Sequence, residues 1–153
     1  MRENDQKANA TYTYTYVNGN ITSKNYYAYT TGELGAVQDT ETWTYGNSEW
    51  ADLLTKWGDK DITYDAIGNP IVFDDLTMTW QGRQLETLSM GGITFAYDYN
   101  TDGQRISKTF TDSESGDTYT TEYFYNGSIL AGERTGNNTI VYMYDNNGDL
   151  FGF

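Results

Sequence analysis

The chain has 153 residues, enough for one domain with a core, but it carries a net charge of −13 and only nine Lys and Arg. Cations so few and scattered argue against a nucleic-acid face or an anionic membrane surface. With neither His nor Cys, the chain can form no disulfide, thiolate nucleophile, His-dependent triad or His- or Cys-ligated zinc site. Fifteen Tyr and sixteen Gly against a single Pro oppose disorder and favour pleated, half-buried β surface.

Residues 1–11 show no apolar pattern and are expected to be a frayed or disordered arm, leaving 12–153 as the folded part. From there a repeat recurs: an aromatic, a spacer, a second aromatic, polar turn residues with Gly or Asn, then an aliphatic residue. The first copy is Tyr14-Thr15-Tyr16 with Asn18-Gly19 and Ile21, and the second is Trp43-Thr44-Tyr45 with Gly46-Asn47. Trp50, Leu53, Leu54 and Trp57 then follow at helical spacing. With Ser48 as N-cap and Gly58 past the end, they predict one short helix over 48–57. The third copy is Ile62-Thr63-Tyr64-Asp65 with Gly68 and Ile71, the fourth Met78-Thr79-Trp80 with Gly82 and Leu85. The fifth is Phe95-Ala96-Tyr97-Asp98 with Gly103 and Ile106, after which the polar run 111–118 predicts an exposed hairpin tip. The sixth and seventh are Tyr123-Phe124-Tyr125 with Gly127 and Ile129, and Tyr142-Met143-Tyr144-Asp145 with Gly148 and Leu150.

Two rings separated by one residue share a face of a strand, so successive copies can stack rings into a ladder. Asp or Asn after the second ring can cap a turn, Gly supplies its positive φ, and the aliphatic residue returns the chain to the buried face. The second rings lie 16 to 29 residues apart, and the spacing pattern recurs after about 80 residues, as if four hairpins form a higher repeat. The expected fold is all-β: a curved, twisted strip of about seven antiparallel hairpins with one short helix.

The copies at Ile62–Ile71, Phe95–Ile106 and Tyr142–Leu150 resemble the tyrosine–aspartate (YD) repeats of the Rhs family, and the likeness covers residues 12–153. That family includes bacterial polymorphic toxins, wall-associated proteins of Gram-positive bacteria, cocoon subunits of insecticidal toxin complexes and animal teneurins. The stretch Trp43–Asp65 is similar to repeats of Firmicutes members. The resemblance implies a strip of hairpins that spirals into a hollow shell, secreted or on the bacterial surface, with its own remaining segments and its C-terminal cargo as partners. The family's plug and self-cleavage site would lie beyond Phe153, and no signal peptide is visible, so the chain is expected to be a segment of a larger protein.

Candidate sites within the chain are few. Asp98, Asn100 and Asp102, followed by Gly103, resemble half of a calcium loop, but position twelve is Thr109 rather than Glu. Asp145–Asp149 suggests the same more faintly. Asp74 and Asp75 are adjacent and face opposite ways on a strand, so they cannot flank one glycosidic bond. No cofactor and no catalytic activity are expected. Tyr26, Tyr27, Tyr29, Trp50 and Trp57 are the candidates for stacking on sugars, with packing between hairpins as the alternative. Asn9, Asn20, Asn126 and Asn137 open glycosylation sequons that an Asn- and Thr-rich chain generates by composition. The leading function is a structural shell or scaffold segment; the alternative is a carbohydrate- or cell-wall-binding aromatic module. Bare sheet edges are expected to self-associate or to be shielded by the polar N-terminal arm.

Overall fold

The computed structural model describes residues 1–153 and contains no helix, only antiparallel strands joined by hairpins. The chain divides into two compact units, Met1–Thr63 and Tyr64–Phe153.

The N-terminal unit holds β1 (Arg2–Asp5), β2 (Ala10–Val17), β3 (Asn20–Ala28), β4 (Asp39–Thr44), β5 (Lys56–Trp57) and β6 (Lys60–Tyr64), whose last residue opens the second unit. Each strand pairs with the next in sequence. Asn18 and Gly19 close the β2–β3 hairpin with φ of 52° and 89°, the two left-handed positions of a type I′ turn.

Residues 1–11 are not a frayed arm. Arg2–Asp5 pairs with Ala10–Thr13, the Asp5 carboxylate accepts the amides of Lys7 and Ala8, and the Arg2 guanidinium donates to the carbonyls of Thr30 and Gly32. An edge strand needs only its backbone to pair, so a missing apolar pattern marked exposure rather than disorder.

The short helix over 48–57 does not form either. The Asn47 side chain, one residue before the expected cap, accepts the amides of Glu49 and Trp50 at 2.9 Å and holds a local turn. One bond from the Leu53 amide to the Trp50 carbonyl follows, and then Lys56 and Trp57 pair with Thr44 and Trp43 as β5. Ten residues are too few to sustain an isolated helix against strand pairing on both sides. Gly58, at φ 61°, is a hairpin residue between β5 and β6 rather than a helix stop.

The C-terminal unit is a meander of β7 (Pro70–Phe73), β8 (Leu76–Gln81), β9 (Gln84–Met90), β10 (Ile93–Tyr99), β11 (Arg105–Asp112), β12 (Thr118–Asn126), β13 (Ile129–Thr135) and β14 (Asn138–Val141). A two-stranded piece, β15 (Met143–Tyr144) and β16 (Leu150–Gly152), follows. The polar run 111–118 is the β11–β12 tip, with the Asp112 carboxylate accepting the amides of Glu114 and Ser115.

Register sorts this sheet into two chemically distinct faces. Thr77, Ser89, Thr94, Thr111 and Thr118 lie opposite one another across β8–β12, and Thr79, Thr87, Ala96, Thr109 and Thr120 form the next rank. Hydroxyls bond across strands at Thr79–Thr87 (2.7 Å), Ser89–Thr94 (2.9 Å) and Thr109–Thr120 (2.9 Å). On the other face Met78, Leu88, Phe95, Phe110 and Tyr119 stand in register, with ring centroids 5.5 Å apart for Phe95–Phe110 and 6.0 Å for Phe110–Tyr119. This ladder runs partly through rings outside the repeat. Cations sit over rings inside and outside the repeat: Arg105 lies over Tyr97 and Tyr123, and Lys24 over Tyr12, Tyr26 and, farther off, Tyr14.

The core expected from chain length is absent. Only Thr11, Tyr27, Asn69 and Gly132 are buried, and Tyr27 alone among them is a large apolar side chain. The aliphatic residues after the turns do not reach a common buried face: Ile106, Ile129 and Leu150 are exposed. A sheet without a second layer packed on it offers side chains only their strand neighbours.

Candidate functional site

The repeat has a mechanical basis in the ladder. Register shifts fall just before a second ring at Thr15/Tyr16, Thr79/Trp80, Phe124/Tyr125 and Met143/Tyr144, and a further one falls at Asp98/Tyr99, before a ring two residues past the second ring of its copy. Such a bulge bends the strand end and re-aims the side chain that follows it. In the C-terminal unit that side chain then donates to a main-chain carbonyl of an earlier strand. Trp80 reaches Pro70 at 2.7 Å, Tyr99 reaches Leu85 at 3.1 Å, Tyr125 reaches Arg105 at 2.9 Å and Tyr144 reaches Leu130 at 2.7 Å. These four bonds form a regular set of latches.

The fifth copy is framed differently from its sequence motif: the residue that bulges and latches is Tyr99, not Tyr97. The same shift applies to the capping residue. Asp65 accepts the amides of Ile67 and Asn69, Asn100 those of Asp102 and Gln104, and Asp145 those of Asn147 and Asp149. In each loop the glycine amide (Gly68, Gly103 or Gly148) donates back to the carbonyl of the capping residue. Asn100 therefore takes the place of Asp65 and Asp145, and Asp98 instead accepts the Ser107 hydroxyl at 2.5 Å. Two loops also reach sideways. Asn69 donates to the Gly82 carbonyl at 2.6 Å and Gln104 to that of Gly127 at 2.7 Å, stitching neighbouring turns together.

These bonds shift the capping carboxyls. Partial burial of Asp65 acts to raise its pKa, but the bonds from Asn69 and Ile67 outweigh it and hold the carboxyl below its ordinary range. The amides of Asp149 and Asn147 lower Asp145, and those of Glu114 and Ser115 lower Asp112. In the N-terminal unit the Tyr14 hydroxyl is pushed up to about 12, chiefly by its bond to Glu3, and Tyr26 to about 12 by burial and by Glu41.

Two of the three calcium candidates, Asp98 and Asn100, spend side-chain oxygens on partners within the protein. Asp98 faces Ser107, and the Asn100 carbonyl oxygen is engaged by two amides of its own loop. No three acidic side chains come together as a cation cage. Of the proposed sugar-stacking residues, Tyr26 and Trp57 meet on the Glu41 carboxylate. Tyr27 is buried, and Tyr26 packs edge-on against Tyr12 at 5.2 Å and bonds Glu41. Tyr29 is half-buried, Trp57 donates to Glu41 at 2.6 Å, and Trp50 is about half exposed.

The concave surface of the N-terminal unit lies elsewhere. A groove of about 410 Å³ opens between the end of the β2–β3 hairpin (Val17, Asn18, Asn20) and the chain leaving β4 (Trp43, Tyr45, Asn47). Tyr45 occupies the second-ring position of its repeat, but after it the chain runs out into residues 46–55 instead of turning back. The Gly46 amide donates to the Thr55 hydroxyl, the Thr55 amide returns to the Thr44 carbonyl, and Asn20 ties the hairpin to the loop through Ala51 and Asp52. The sequence pattern flagged Trp43 and Tyr45 as repeat residues only. Spacing did not mark this copy as different, because Tyr45 and Tyr64 lie as far apart as Tyr125 and Tyr144.

No protein-family model and no curated protein matches the chain.

Proposed function

We propose that the chain is a structural repeat segment of a larger secreted or cell-surface protein of the Rhs/YD type, a strip that encloses or displays a C-terminal effector. One observation carries this reading. The same bulge, latch and capped loop recur through the C-terminal unit while only four residues of the chain are buried, so the fold rests on repeated local contacts and not on an interior. On this reading the chain contributes shape and surface, and any chemistry belongs to the cargo. The test is the native reading frame on either side of the chain. Further copies of the repeat followed by a distinct C-terminal region support the proposal; flanking sequence without the repeat on both sides would overturn it.

A second reading, an aromatic module that binds carbohydrate, is favoured by the groove beside Trp43 and Tyr45.

A further inference from the structure

We infer that the groove beside Trp43 and Tyr45 is a binding site for a neutral, pyranose-based oligosaccharide; this deepens the carbohydrate reading above. Three independent observations meet there. The first is charge. Of the ten residues lining the groove none is charged, although one residue in five along the chain is. An uncharged lining suits a ligand without ionic groups, and a chain at −13 repels a polyanion.

The second is the state of the rings. Trp80, Tyr99, Tyr125 and Tyr144 spend their polar atoms on main-chain carbonyls, whereas the Trp43 indole N–H and the Tyr45 hydroxyl make no hydrogen bond within the protein. Both residues are half-buried and lie two apart on one strand direction, so they offer ring surface and polar tips to the same side. A pyranose presents the complementary pattern, with C–H groups on its face and hydroxyls round its rim.

The third is the polar surround. Asn20 uses its amide N–H on Ala51 and Asp52, which leaves its carbonyl oxygen facing no donor, and Asn47 spends its carbonyl oxygen on two amides and keeps its N–H₂. One acceptor and one donor are thereby held in fixed orientation, with the Asn18 amide at the turn beside them. A small number of fixed polar groups beside an apolar surface is the usual composition of a small-ligand site.

The test is a titration of the intact, ¹⁵N-labelled chain with cellotriose, maltotriose and chitotriose up to about 10 mM, the weak end of specific binding, alongside a hexuronate trimer. The expected result is saturable shifts for at least one neutral trisaccharide at the Trp43 indole and the Asn18 and Asn20 amides. Binding should weaken at least about tenfold in Trp43→Ala and in Val17→Lys, a substitution at an exposed position that leaves the fold intact, and stay unchanged in Trp50→Ala. Saturation with none of the four sugars would overturn both this site and the carbohydrate reading. Binding insensitive to Val17→Lys and Trp43→Ala, or confined to the hexuronate, would overturn the site and leave carbohydrate binding elsewhere on the chain standing.

Discussion

The hydroxyl of Tyr144 meets the Leu130 carbonyl at 2.7 Å, while that of Tyr45, at the same place in its repeat, meets nothing in the protein. The pair gives a matched comparison. Tyr144→Phe should lower stability by about 1 kcal/mol, the net worth of one hydrogen bond. Tyr45→Phe should change it by less than about 0.5 kcal/mol, as for an unpaired surface group, and urea unfolding of the two variants measures both. Thr11 makes the opposite kind of contact. It is fully buried, donates to the Thr30 carbonyl at 3.1 Å and accepts the Thr30 amide at 3.0 Å. Thr11→Val keeps the shape but strips partners from both groups, and should cost about 1–3 kcal/mol in the same assay.

At the level of the element, the capped loops contain their own control. Asp65 and Asp145 are held below the ordinary carboxyl value of 3.8 by the amides they accept, and Asn100 builds the same loop without a titratable group. A carboxyl whose pKa is lowered by folding contributes stability that is fully present above the unfolded value and is lost as pH falls through the folded one. Below about pH 4 the amides of Asn69 and Asp149 should therefore lose hydrogen-exchange protection before that of Gln104. Asp145→Asn should abolish the pH dependence in its own loop while keeping the loop. The β13–β14 ladder depends on a different feature: a Cβ on Gly132 would lie 2.6 Å from the Ile140 carbonyl oxygen. Its φ is not in the left-handed region, so the demand is for space alone. Gly132→Ala should separate the two strands and cost about 1–3 kcal/mol, with the loss of protection confined to residues 132–141.

For the whole molecule, the edges matter most because no interior compensates for them. The polar Arg2–Asp5 strand covers β2, so the expected shielding is present at the N-terminal edge. At the other end, β14 is the last strand of its sheet, all four of its residues are exposed, and they include Ile140 and Val141. An edge of that composition is a template for strand pairing with another copy; the expected outcome in sedimentation velocity is concentration-dependent association that Ile140→Lys suppresses. A monomer at all concentrations would count against edge pairing.

Much of this architecture was legible in the sequence. Ring, spacer, ring and turn residue are local, and turn type, hairpin length and strand alternation follow from bonds within about twenty residues. The all-β strip, the turn at Asn18-Gly19 and the tip at 111–118 were therefore set by short-range chemistry. What the pattern could not supply depends on partners distant along the chain. Trp50, Leu53 and Leu54 keep a helical spacing, yet pairing of Lys56 and Trp57 with Thr44 and Trp43 decides their fate. Tyr97-Asp98 has the motif, yet the bulge that makes Tyr99 the latch lies in its register with β11. Tyr45 has the same motif as the latched rings, and only the excursion after it leaves its hydroxyl free beside Trp43. Local propensity determined the repeat; cross-strand register decided which copies close on themselves and which stand open.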